Sequence, residues 1–241
     1  SLRSFHWPGQ DTVWRWVSPE DDSALVGPHS VAAKAATSAA RAKNARRIAT
    51  ELFGAYGWRL SLDEAKWLID WHLARGNNLF IPHALFYSIR EGRAFESEPD
   101  VGIHNSWWPH FSVLANYTRQ MAWALTDCRH VCQVGVAGPG HNLPWEAARL
   151  LYEHQIDFLY LDDETLIDAT VTAEGLQAGS QTYRVVIVDG DLSPAATERL
   201  HQFAAHGGKV LHCDHSPSDL AKQIGEYLPP DVSMQPVEIG R

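Results

Sequence analysis

From about Val131 onward the sequence alternates short apolar runs with amphipathic ones, the pattern of βα units around a parallel sheet. Val131 to Val136 predicts a strand. Pro144 to His154 predicts a helix with Trp145, Ala148, Leu151 and Tyr152 on one face, and Ile156 to Leu161 a second strand. Tyr183 to Val188 is a near-continuous β-branched run, as strands buried on both faces of a parallel sheet are. Ser193-Pro194 supplies an N-cap and a first-turn proline, Gly207-Gly208 ends that helix, and Lys209 to Cys213 is the next strand. Ser216-Pro217 opens a last helix to about Tyr227, before Pro229-Pro230 stop it. Asp168 to Gly179 predicts a short strand and hairpin. Residues 129–241 therefore read as a doubly wound parallel sheet.

The first half is also βα in grammar. Val31 to Arg47 is an Ala-rich helix leading into a strand at Ile48 to Leu52. Ser61-Leu62-Asp63-Glu64 is a capping box, in which the serine hydroxyl and the glutamate three residues on satisfy each other's exposed amides. Its helix carries Leu62, Ala65, Leu68, Ile69 and His72 at helical spacing and ends near Gly76. Asn78 to Tyr87 is a strand with a proline inside it, and a long polar stretch, Arg90 to Asn105, runs to a last helix at about Pro109 to Thr126. A (β/α)8 barrel needs eight such units and ~250 residues; residues 1–128 have room for two or three.

Composition narrows the function classes. The chain has 241 residues, with Lys+Arg 20 against Asp+Glu 29 and a net charge of −9, so no broad positive field draws a nucleic acid to it. No run approaches the ~20 apolar residues of a membrane helix, and the amino terminus has no basic start followed by an apolar stretch. Cys128, Cys132 and Cys213 are too sparse for a disulfide scaffold and lack the CxxC pairs of a zinc site, so they read as reduced thiols in a cytoplasmic compartment. No metal and no cofactor is expected. Ten tryptophans, all at or before Trp145, mark the first half.

Particular residues carry a resemblance. The run Thr50-Glu51-Leu52-Phe53-Gly54-Ala55-Tyr56-Gly57-Trp58, then Trp67-Leu68-Ile69-Asp70-Trp71, then Gly76-Asn77-Asn78-Leu79-Phe80-Ile81-Pro82-His83-Ala84 with Tyr87-Ser88, resembles the end of the catalytic barrel in large glycoside hydrolases of the β-galactosidase-like and α-L-rhamnosidase-like types. Asn105-Ser106-Trp107-Trp108 and the helix to Trp123 resemble the last barrel helix. The rest resembles their flavodoxin-like module, akin to the β-galactosidase trimerisation domain and to class I glutamine amidotransferases.

The resemblance implies an α/β chain made of a partial (β/α)8 barrel, residues 1–128, followed by a flavodoxin-like sheet, residues 129–241. It implies a chain that begins near the end of barrel strand six, at His6-Trp7-Pro8-Gly9, with Glu51 as the catalytic carboxylate at the carboxyl end of strand seven. His83 would stand beside it, to bond a sugar hydroxyl or orient the carboxylate. Trp58, Trp108 and Tyr56 would offer apolar faces to a sugar, with Asn105 and His6 as further substrate contacts. The strand-four region that holds the other carboxylate has no counterpart, which implies an incomplete site, inactive by itself. The implied partners are a carbohydrate substrate and the rest of the barrel or partner subunits, in a homo-oligomer. A non-catalytic assembly module is the alternative, because half a barrel exposes strand edges that need covering.

Two other motifs stand in the second half. Gly138-Pro139-Gly140-His141-Asn142 follows a strand and precedes a helix, where phosphates bind, but it is not GxGxxG. His212-Cys213-Asp214-His215 lies where an amidotransferase-like hydrolase would put a cysteine nucleophile, but bulky residues crowd Cys213 where a sharp elbow needs small ones.

Overall fold

Three short parallel strands carry the amino-terminal unit: β1 (Gly9–Val13), β2 (Ala49–Gly54) and β3 (Leu79–Pro82), hydrogen-bonded in the order β1-β2-β3. This computed structural model describes residues 2–213 and 217–228. Helix α1 (Ala32–Ala42) connects β1 to β2, α2 (Leu62–Ala74) connects β2 to β3, and α3 (Phe111–Thr126) closes the unit. The predicted helix from Val31 to Arg47 ends early, because Asn44 turns left-handed, a conformation this residue type tolerates. The predicted strand from Asn78 to Tyr87 is also shorter. Asn78 spends its side chain on the Ile48 N–H and the Arg46 carbonyl, and beyond Pro82 the chain leaves the sheet, with Tyr87 fully exposed.

Side chains alternate across these strands. Thr12, Thr50 and Leu52 are buried toward the helices, where Leu52, Phe53, Leu60, Leu68, Ile69 and Leu114 share one core. Helix α2 starts where its sequence says it should: the Ser61 hydroxyl accepts from the Glu64 N–H at 3.1 Å. Its buried face then carries Ala65, Leu68, Ile69, Trp71, His72 and Leu73.

A polar cluster is sealed under the same face. The His72 ring lies 3.0 Å from the Thr12 hydroxyl and 3.3 Å from Asn77 Oδ1, while Asn77 donates to the Ala33 carbonyl and Thr37 Oγ1. Burial drives the His72 pKa down to about 3, against the hydrogen bond with Asn77 and helped by the Arg75 charge. A neutral ring satisfies both neighbours.

The second unit, residues 132–241, holds an all-parallel sheet in the order β10-β9-β4-β5. Its strands are β4 (Val134–Ala137), β5 (Phe158–Leu161), β9 (Val185–Val188) and β10 (Lys209–His212). The chain starts in the middle, steps out one way to β5, then returns to β9 and β10 on the other side, which is the doubly wound order. Helices α4 (Trp145–Glu153) and α7 (Pro217–Tyr227) pack together, as do α5 (Asp163–Asp168) and α6 (Pro194–Ala205). Ser193 caps α6 as predicted.

Two expectations for this unit are corrected. Tyr183 does not belong to the β-branched strand: it ends β8 (Gln181–Tyr183), which joins β6 (Thr170–Thr172) and β7 (Gly175–Ala178) in an antiparallel sheet of three strands, not one strand and a hairpin. Helix α5, capped by the Asp162 carboxylate on the Thr165 N–H, was not predicted at all.

Candidate active site

On the face of the first sheet turned away from the helices, Asp11, Glu51 and Ile81 lie side by side, each the register partner of the next. Asp11 is exposed, Ile81 is 52% exposed and the Glu51 side chain is 44% exposed, so this face is open. Just past β3, the His83 backbone N–H extends the ladder to the Leu52 carbonyl, and its Nδ1 meets Glu51 Oε1 at 2.9 Å. Sequence reasoning paired these two residues, and the structure brings them together.

The local backbone makes room for that contact. Register slips between Thr12 and Val13, Phe53 turns left-handed at φ 76°, and Gly54 comes opposite Val13. A Cβ on Gly54 would lie 2.5 Å from Val13 Cγ1 and 3.6 Å from His83 Nδ1. Only a residue without a side chain fits between them. The carboxyl ends of β1 and β2 carry left-handed residues of ordinary type, Trp14 and Arg15 after β1 and Phe53 and Ala55 in and after β2. Such backbone persists only where the surroundings fix it. Here Arg15 pairs with Glu64 and donates to the Tyr56 carbonyl at 2.8 Å, and the Trp14 N–H bonds the Gly54 carbonyl at 2.9 Å.

The other predicted substrate contacts divide. Tyr56 is buried, its hydroxyl donating to the Val17 carbonyl at 2.7 Å, and burial raises its pKa; it is a packing residue. Asn105 is also buried, its amide donating to the Asp100 carbonyl at 3.0 Å, so it pins a loop rather than a ligand. Trp108 stacks on Phe111 at 5.5 Å at the start of α3. Trp58 follows β2 and meets Phe86 edge-on at 6.3 Å, without a described contact to Glu51. His6 precedes the amino end of β1, and so lies at the opposite end of the sheet from His83; the strand begins after His6-Trp7-Pro8 rather than ending there.

Two residues at this site escaped the sequence reading, Asp11 and Trp14. Their signal was present in a polar-apolar alternation, Gln10-Asp11-Thr12-Val13, too short to register as a strand. A nearby loop is braced by a third carboxylate: Asp100 accepts from the backbone N–H groups of Phe86, Gly102 and His104 and from the His104 ring. Burial opposes ionisation of Asp100, but those hydrogen bonds outweigh it and hold the carboxyl below its usual range.

An apolar groove of about 750 Å³ lies on the other face, between the sheet and α3, with Leu52, Phe80, Leu114 and Trp123 in its lining. It carries none of the candidate carboxylates. Among the described residues no group of three His, Cys, Asp or Glu side chains is placed to hold a metal ion, and no helix is long and apolar enough to cross a membrane.

In the second unit, Gly138 to Asn142 follow β4 as predicted, and the helix beyond starts at Trp145. Cys213 is partly exposed just past β10 and hydrogen-bonds Asp189, whose carboxyl burial raises above its usual range against that bond. Asp214 and His215 lie outside the described residues, as do Ser216 and Pro229-Pro230.

No protein-family model and no curated protein matches this sequence. Among solved structures, the chain is similar to a rhamnosidase from Novosphingobium sp. PP1Y, with a TM-score of 0.67 and 17% identity over 93% of this chain. The match spans 23% of that rhamnosidase. The two share an α/β fold with parallel sheets, and the likeness reaches no further than fold.

Proposed function

We propose that this chain is a carboxyl-terminal portion of a glycoside hydrolase, with Glu51 as the carboxylate that faces the anomeric carbon. In this reading β1, β2 and β3 are strands six to eight of a (β/α)8 barrel, and the second unit is the flavodoxin-like module that follows it. The observation that carries the proposal is the Glu51–His83 pair, 2.9 Å apart, on the open face of a parallel sheet at its carboxyl end. That is where α/β barrels collect catalytic groups. The likeness to a rhamnosidase supports the fold behind it.

The chemistry follows from the residue types. A sugar losing its leaving group develops oxocarbenium character, which a carboxylate stabilises or traps. His83 holds one Glu51 oxygen through Nδ1 and leaves the other for the sugar. His83 is thus a positioning residue for Glu51. The substrate is a carbohydrate, and the rest of a barrel or partner subunits would cover the open face.

A panel of nitrophenyl glycosides, including the α-L-rhamnoside and the β-galactoside, tests this on the chain and its Glu51→Gln variant. Nitrophenol leaves with little help from an acid, so the assay reads Glu51 rather than any proton donor. Hydrolysis that falls ~10²-fold or more in Glu51→Gln supports the assignment. Hydrolysis unchanged by the substitution overturns it. The exposed edges of β1 and β3, with Ile81, Leu85 and Tyr87 also exposed, favour the assembly module as the second reading.

A further inference from the structure

We propose that Asp11 is the second carboxylate of the Glu51 site and its proton donor, an inference that rests on the glycoside-hydrolase reading above. Ordinary glycoside hydrolysis needs two carboxyl groups flanking the scissile bond, and the residues that resemble the family supply only one. Register supplies the other. Asp11 pairs with Glu51 across β1 and β2, and partners on parallel strands project from the same face with backbones ~4.8 Å apart. Its chain neighbours Gln10 and Thr12 meet the His72 cluster on the opposite face, so packing makes no use of the Asp11 side chain, which is exposed.

A second feature, independent of charge, points to a sugar. Three residues along, Trp14 is 62% exposed and sits in left-handed backbone at φ 56°. A large apolar ring gains nothing by exposure, and left-handed backbone is unfavourable for a bulky residue. At the end of β1, hydrogen-bonded through its N–H to Gly54, this ring borders the carboxylate row and offers the flat face on which a pyranose packs.

Adjacent strands bring two carboxyl groups toward the ~5–5.5 Å that suits direct attack, rather than the ~6.5–9.5 Å that leaves room for a water between them. A Glu51 oxygen bonds to the anomeric carbon as the bond from that carbon to the leaving oxygen breaks. The Asp11 proton passes to the leaving oxygen, giving a free alcohol and a glycosyl ester of Glu51. Water then attacks the anomeric carbon, the ester C–O bond breaks to return the Glu51 carboxylate, and Asp11 recovers a proton from that water.

The test compares wild type with Asp11→Asn on phenyl and dinitrophenyl glycosides of one sugar, with circular dichroism as the check on folding. Loss of a proton donor lowers kcat/KM on the phenyl glycoside ~10²–10⁴-fold, but less than ~10-fold on the dinitrophenyl glycoside, whose leaving group needs no proton. Added azide then restores turnover of the dinitrophenyl substrate as a glycosyl azide. Equal losses on both substrates, or none, overturn the assignment of Asp11 and leave Glu51 in place. A wild type inert toward both overturns the underlying reading and Asp11 with it.

Discussion

Residues of similar type have opposite fates in the first unit, and the alternation of β1 and β2 decides which. Glu51 and Asp11 face the open side, while Thr50 and Thr12, one position along each strand, are sealed with His72. Burial makes His72 a sensor of acid in stability rather than in chemistry. The unfolded chain takes up a proton near the ordinary value of 6.5 and the folded chain only near 3, so the unfolded state binds more protons in between. Stability therefore falls as pH drops below about 6.5, by up to ~1.4 kcal/mol per pH unit, and His72 contributes no further loss below about 3. Urea unfolding followed by tryptophan fluorescence should show a shallower loss for His72→Gln than for wild type between pH 6 and 4. Equal slopes would mean that the ring is not buried neutral. Trp145 apart, every tryptophan lies in this unit, so the signal reports on it.

At the scale of elements, the parts legible in the sequence were those with local punctuation. The Ser61 cap of α2 and the Ser193-Pro194 start of α6 stand where the residues said, because a cap needs only its own helix. Ser61→Ala should cost ~1 kcal/mol in the same unfolding assay, and a cost near zero would show that the hydroxyl bond to Glu64 is not maintained. What stayed illegible depends on partners distant in sequence. Strand β1 is five residues whose pattern acquires meaning only once β2 lies beside it. Tyr183 sits next to a β-branched run, yet its register partner is Leu176 of a separate antiparallel sheet. Asn105 and Tyr56 looked like ligand contacts by residue type; their partners, the Asp100 and Val17 carbonyls, were invisible in the sequence.

For the molecule, two parallel sheets have different consequences. In the second unit β4 and β5 are buried throughout, and helices accompany the sheet as in other doubly wound folds. The first sheet has helices against one face and Asp11, Glu51 and Ile81 uncovered on the other. A parallel sheet left open on one face is unusual, because parallel strands are normally covered on both. That uncovered row, at the carboxyl ends of the strands, is where the account places sugar chemistry. The most direct measurement is mass-spectrometric peptide mapping after incubation with a sugar-like cyclic epoxide, which a positioned carboxylate opens to form an ester. The account predicts one adduct, on Glu51, that is absent from Glu51→Gln. An adduct confined to another residue, or none, would contradict it.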